Sequence, residues 1–379
     1  MFIAFRLSLF YALVFGYIGV QMPYWPLWLK ANGFDDALLG QVLAFGFVAK
    51  VAVNPLFRSV ANRFGTHITL SITLVIVCAI FQLFNLTLTL STLVLVQLAF
   101  LAFWVPVLPT TEHIALSQAR KGYVDYGRVR VWGSIGFMLT TIVVGRVVEN
   151  GPIDRVQSIL AGLLLAVFCM TLILPGRRQE TESRRGFRLR VLLKVPNLPL
   201  VLLAAGLIQS SHVMFYGFGS IYWTSIGIGE STIGLLWAEG IIVEIGVFIF
   251  AAGLSRKLNP LQIMSIGGAA AAIRWTFMPM VTTMPLVFLI QALHGASFGM
   301  THLGAMRFLS TSVDESLSAD AVALYSMMVM GLSMGIVAFF SGRVYALYHG
   351  ESFWAMTTIA LAGAAIMMFM ARTSARFNQ

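Results

Sequence analysis

Twelve stretches of this chain run for about twenty residues with almost no charge, and short polar breaks such as GFDDA (33–37) and GIGES (227–231) separate them. A helix needs roughly 20 apolar residues to cross the hydrocarbon of a bilayer. The runs fall at about 5–29, 38–61, 67–88, 91–116, 126–148, 156–175, 197–225, 231–254, 261–281, 284–309, 318–347 and 351–371. Lipid offers no partner to backbone N–H and C=O groups, so only helices or a closed barrel can span it. A barrel would show ten-residue segments of alternating polarity, and none occurs. The expectation is an all-α membrane protein of twelve transmembrane helices. Composition agrees: 11% of residues are charged and 58% hydrophobic, against about 25% charged in a soluble domain.

Orientation follows from the positive-inside bias. With the N-terminus on the cytoplasmic side, 19 of the 25 lysines and arginines fall on that side and four outside. Two, Lys50 and Arg274, remain at membrane depth. The +10 net charge is therefore topology and calls for no nucleic-acid partner. The longest polar stretch, GRRQETESRRGFRLRVLLK (176–194), reads as a cytoplasmic basic linker over 176–196. It would join one six-helix bundle over 1–175 to a second over 197–379. The two halves repeat weakly at an offset of 194. Gly33-FDDALL-Gly40 matches Gly227-IGESTI-Gly234, Asn62-Arg63 falls on Arg256-Lys257, and Gln97 falls on Gln291. The same offset sets Lys50 against Glu244. Parallel repeats of this kind are a transporter signature.

Charge inside a bilayer is expensive and marks function. Only Glu112, Glu239 and Glu244 among the 15 carboxylates lie more than two residues inside a run. Glu112 follows Pro106 and Pro109, which loosen its helix. In run seven, His212 and Tyr216 share a helical face, and the nearby Gly217 and Gly219 suit a helix that bends against a flat ligand. Gln21 and Tyr24 sit at a similar depth in run one, and Lys50 is a cation available to an anionic substrate. Cys78 and Cys169 are too few for a disulfide framework. The six histidines show no metal-binding spacing, so neither metal nor cofactor is expected, other than a proton as coupling ion.

The segment VDYGRVRVWGSIGF (124–137) resembles the lactose permease branch of the major facilitator superfamily, whose fifth helix opens on Gly-Arg-x-Arg. That branch places its substrate carboxylate 18 residues before the second arginine, the separation of Glu112 and Arg130. It also sets an arginine and a histidine 20 apart on helices nine and ten, as Arg274 and His294 stand here. Its carboxylate on helix eight corresponds to Glu239 or Glu244. Its coupling glutamate, three residues after the histidine, is replaced by Ser297. The superfamily's loop motif stands as VANRFGTH (60–67), with Asn62 in the aspartate's place.

The chain resembles most fully the phenylpropionate permease group, through YWPLWLK (24–30), DYGRVRVWGS (125–134), SHVMFYGFGSIYW (211–223), AIRWTFM (272–278) and ALHGASFGMTHLGAMRF (292–308). The resemblance implies a major facilitator fold and proton symport of a small organic solute, first an aromatic carboxylate such as 3-phenylpropionate, in a bacterial-type inner membrane. A sugar or nucleoside symporter and a proton-driven drug exporter are the alternatives. It implies substrate contacts at Glu112 and Arg130, to which depth, helix face and charge add Gln21, Tyr24, Lys50, His212 and Tyr216. Coupling falls to Glu244 paired with Arg274, with His294 and Glu239, and gating to Asn62 and Arg63. No nucleophile set or Walker segment argues for an enzyme or a pump, and no soluble domain for a receptor. A monomer that meets protons, lipid and a small solute is expected. In the last of those segments, Gly295 and Gly299 offer a close-packing face. On a regular helix His302 would lie roughly 80° around from His294.

Overall fold

The protein is described by a computed structural model that covers residues 2–86, 89–174 and 187–377. The linker residues 176–186 therefore lie outside the described residues. Those described form helices and connecting turns, with no strand. In chain order the helices are α1 (Phe2–Ala31), α2 (Asp36–Phe64), α3 (Thr66–Gln82), α4 (Leu90–Trp104), α5 (Val107–Arg120), α6 (Tyr126–Glu149) and α7 (Arg155–Thr171). A single turn, α8 (Leu189–Leu192), leads to α9 (Leu198–Ser210), α10 (Val213–Ser225), α11 (Glu230–Lys257) and α12 (Pro260–Phe277). Then come α13 (Met284–His294), α14 (Thr301–Ser312), α15 (Ser318–Met327), α16 (Met334–Tyr348) and α17 (Phe353–Phe377). Among the described residues, nine stretches are long and apolar enough to cross a bilayer.

Two compact units emerge. The first comprises Met1–Ser183 with Gly219–Ala238, the second Arg184–Phe218 with Glu239–Gln379. Local chemistry sets the helix boundaries. Gly33 (φ +92°) turns the chain after α1, and Asp35 caps α2 by accepting from the Leu38 N–H at 2.7 Å. Its repeat mate Gly227 has φ +85°, so the matched breaks share a conformation that L side chains resist.

In the first unit, α1 and α6 pack through glycine. A methyl group built on Gly19 would stand 2.6 Å from the Phe137 carbonyl oxygen, and one on Gly136 would collide with the Ala12 carbonyl. With no lipid-driven hydrophobic force between them, helices in a membrane associate through such close approach and polar ties. Here Thr140 Oγ1 donates to the Gly16 carbonyl (2.9 Å) and Thr141 Oγ1 to that of Gly19 (2.7 Å). The prolines act as anticipated: α4 ends at Trp104 and α5 restarts at Val107.

Three backbone departures organise the second unit. Run seven breaks at Ser211–His212, between α9 and α10, and not at Gly217 or Gly219. Ser210 and Ser211 hydroxyls donate to the carbonyls three residues back (3.1 and 2.7 Å), competing with the helical ladder where it stops. Helix ten, the span from α13 through α14, contains a π-helical segment, Gly295–Met300, and a second occurs at Met328–Ser333. The first lies between His294 and His302. Its wider turn stacks His294, Phe298 and His302 in a column, with ring centroids 5.8 and 6.3 Å apart. Gly295 and Gly299 face α11, where added methyls would meet Val243, Glu244 and Val247.

Candidate functional site

Each unit holds an arginine in a polar cluster. In the first, α5 presents Glu112 and α6 presents Arg130, one turn into a helix opened by the Asp125 cap. Arg130 Nε lies 3.2 Å from Glu112 Oε1. The other carboxylate oxygen accepts from two tyrosines, Tyr11 (2.8 Å) and Tyr126 (2.6 Å). Phe15 covers the guanidinium, its ring centroid 4.2 Å from Cζ, and stacks in turn on Tyr11. A methyl group on Gly133 would stand 2.8 Å from the Phe15 ring, so the absence of a side chain there admits the stack. The guanidinium is thus held by Nε and by one face. Tyr126 lies within hydrogen-bonding reach of the guanidinium as well, and the Arg130 side chain is 36% exposed. A guanidinium held this way presents the planar fork that matches a carboxylate.

The second cluster centres on a buried arginine. Arg274 on α12 is fully buried, with Cζ 4.3 Å from the ring centroids of both Phe215 and Trp275. Its Nη2 donates to Gln291 Oε1 (2.5 Å) and its Nη1 to His294 Nδ1 (3.0 Å). Arg274 Nε and Glu239 Oε2 are buried without a hydrogen-bond partner among the described residues. The charge of Glu239 reaches Arg274, and that of Glu244 reaches Tyr216. A methyl on Gly240 would stand 3.1 Å from the His294 ring, which shows how closely α11 approaches it. His212 lies at the α9–α10 break, with Nε2 3.0 Å from Ser297 Oγ and its ring 6.3 Å from that of Tyr216.

The other anticipated residues stand apart from these clusters. Tyr24 is fully buried, and its hydroxyl donates to the Thr141 carbonyl at 2.7 Å, a tie between α1 and α6. Gln21 is half-buried and makes no hydrogen bond among the described residues. Lys50 is exposed, its ammonium 4.8 Å from the Phe47 ring centroid. Asn62 and Arg63 are exposed at the end of α2. Tyr11, Phe15, Tyr126, Gln291 and Ser297 complete the clusters without having been singled out as site residues. Tyr126 stood inside the quoted DYGRVR segment, and Gln291 was already paired with Gln97 by the repeat. Each of those glutamines fixes a neighbour in its own unit: Gln97 Oε1 accepts from Trp25 Nε1 at 3.0 Å, as Gln291 does from Arg274. Among the described residues no three histidine, cysteine or acidic side chains gather as a metal site.

Membrane-length helices, arginines set among carboxylates and aromatics within them, and helices broken beside those side chains are the build of a secondary transporter. The chain belongs to the MFS_1 like family, whose model matches residues 4–356. It is a transporter of the major facilitator type, multi-pass in the membrane, and not an enzyme. It is 28% identical over 363 residues to the probable 3-phenylpropionic acid transporter of Escherichia coli (strain K12), covering 94% of each chain. It is 22% identical to the maltose permease of Geobacillus stearothermophilus, covering 96% of this chain and 93% of that one. The crystal structure of the nucleoside transporter NupG matches its fold with TM-score 0.86 at 18% identity, over 98% of this chain and 99% of that one.

Proposed function

We propose that this chain is a proton-coupled symporter that accumulates a small aromatic carboxylate, first 3-phenylpropionate, by alternating access. It works as a monomer in a bacterial inner membrane, with both termini cytoplasmic and no cofactor beyond the proton. The observation that carries the substrate class is Arg130: Nε held by Glu112, one face covered by Phe15, and the terminal fork of a partly exposed side chain to offer an anion. A carboxylate would bind that fork through paired charge-assisted hydrogen bonds, and Phe15 with Tyr11 would meet the substrate's ring. The name of the E. coli relative, similar over nearly all of both chains, supports the same choice. Coupling belongs to the second unit, where Arg274, His294, Glu239 and Glu244 would link one proton to closure.

A second reading, a neutral polyhydroxylated solute such as a nucleoside or sugar, draws on two buried acceptors without partners, Gln209 Oε1 and Glu239 Oε2. Hydroxyl groups would satisfy both. Proteoliposomes decide between them. Labelled 3-phenylpropionate should exchange without a gradient and accumulate only when an inward proton gradient is imposed. Glu239→Gln should abolish that accumulation. Carriage of uridine or maltose without 3-phenylpropionate would favour the second reading. Accumulation indifferent to the pH gradient would end the coupling proposal.

A further inference from the structure

We infer that His212 is the residue on which the second unit takes up its proton, with the Ser297 hydroxyl as a two-position switch beside it. The inference rests on the proton-coupled reading above and names the acceptor that reading leaves open. Ser297 stands where a carboxylate is missing, and its hydroxyl bonds to an imidazole instead.

The helix break sets the tautomer of His212. Ending α9 at Ser210 shifts the backbone N–H of His212 onto the Gln209 carbonyl (3.1 Å), away from that of Ile208. The released Ile208 carbonyl meets Ser211 Oγ (2.7 Å) and His212 Nδ1 (3.2 Å). A carbonyl only accepts, so Nδ1 carries a hydrogen. In the neutral ring Nε2 is then a lone pair, and it faces Ser297 Oγ at 3.0 Å. His294 is the opposite case. Its Nδ1 faces an Arg274 Nη1, and arginine only donates, so the neutral ring has its hydrogen on Nε2. Adding a proton to His294 would set two donors against each other unless Arg274 left.

His212 needs no such movement. Ser297 Oγ lies 3.0 Å from His212 Nε2 and 3.2 Å from the His294 carbonyl. With the ring neutral, the hydroxyl donates to Nε2. When hydronium gives its proton to Ser297 Oγ and departs as water while the hydroxyl hydrogen passes to Nε2, the new N–H donates to Oγ. The hydrogen that Oγ keeps then swings to the His294 carbonyl. Both states are fully hydrogen-bonded with every heavy atom in place, which is what a fully buried group must have to change charge.

The charged surroundings permit one such event. His212 meets Arg274 and Trp275 from α12, and His294, Ser297 and Phe298 from helix ten. On its own span it meets Tyr216. Glu239 acts on Arg274 and Glu244 on Tyr216. With both glutamates ionised, Arg274 leaves the set one charge short of neutral, and a proton on His212 makes up that charge. The hydroxyl swing also alters the contact at the His294 carbonyl, where α13 gives way to the π-helical segment.

Nitrogen NMR of the full-length protein labelled with ¹⁵N-histidine tests this directly, with His212→Asn or, if that variant does not fold, single replacement of the other five histidines to assign the signal. At neutral pH His212 should show the Nδ1–H form and His294 the Nε2–H form. On acidification His212 should become doubly protonated before His294. Ser297→Ala should move the His212 midpoint to lower pH, and Ser297→Asp to higher pH, each by about one to two pH units. An Nε2–H tautomer on neutral His212, titration after His294, or a midpoint indifferent to residue 297 would overturn the inference. None of these readings needs substrate. Titration as expected without 3-phenylpropionate uptake would sink the substrate reading alone, whereas accumulation with a silent His212 would sink this one alone.

Discussion

Replacing Arg130 by lysine preserves charge and removes geometry. In the native cluster one edge of the guanidinium is engaged at 3.2 Å by Glu112, Phe15 covers its face at 4.2 Å, and the side chain remains partly exposed. A lysine ammonium is a single point donor. Glu112, braced by Tyr11 and Tyr126, would capture it, and a substrate carboxylate would lose its paired donors. A hydrogen bond to a charged group contributes about 1.5–3 kcal/mol, and 1.4 kcal/mol is a factor of ten. Arg130→Lys should therefore weaken 3-phenylpropionate binding by about 10- to 150-fold. The lower end is the firmer expectation, because the side chain is more than a third exposed and water screens it. The neutral amide, 3-phenylpropanamide, uses the same ring contacts without the anion and should lose less than about threefold, since no charge-assisted pair is removed. Isothermal titration calorimetry of both ligands against purified protein measures the contrast. Equal losses for acid and amide, or no loss for the acid, would refute a carboxylate seat at Arg130.

Two further outcomes test the packing that holds the clusters. Gln291→Leu removes the acceptor 2.5 Å from Arg274 Nη2 and leaves a fully buried donor unpaired, so stability should fall by about 1–3 kcal/mol. Gln291→Glu, which keeps an acceptor, should lose less in the same thermal melt. Gly136→Val forces a side chain onto the Ala12 backbone and should part α1 from α6, lowering both stability and substrate binding. Gly162→Ala, with nothing within 4 Å of the new methyl, should be neutral or slightly stabilising.

What the sequence by itself determined is what lipid dictates and what short connections preserve. Backbone groups without water must bond within their own segment, so uninterrupted apolar runs had to be helices. Gly33 and Gly227 were legible as matched breaks because only glycine enters their backbone region at no steric cost. Glu112 with Arg130, and Arg274 with His294, could be paired through the resemblance to the lactose permease branch, whose separations hold because each couple lies on consecutive helices joined by a short turn. Tyr11 and Phe15 could not be read that way. They reach the Glu112–Arg130 pair from more than a hundred residues away in sequence, through a glycine-lined approach of α1 to α6 whose depth no periodicity encodes. Tyr24 misled for the same reason, since only the packed helices show its hydroxyl turned to a backbone carbonyl. His212, Ser297 and the His294–Phe298–His302 column required two local departures from the regular helix, a break and a π-turn. Those departures depend on which hydroxyls and imidazoles find carbonyls in the folded unit, a competition that a one-dimensional hydrophobic pattern does not contain.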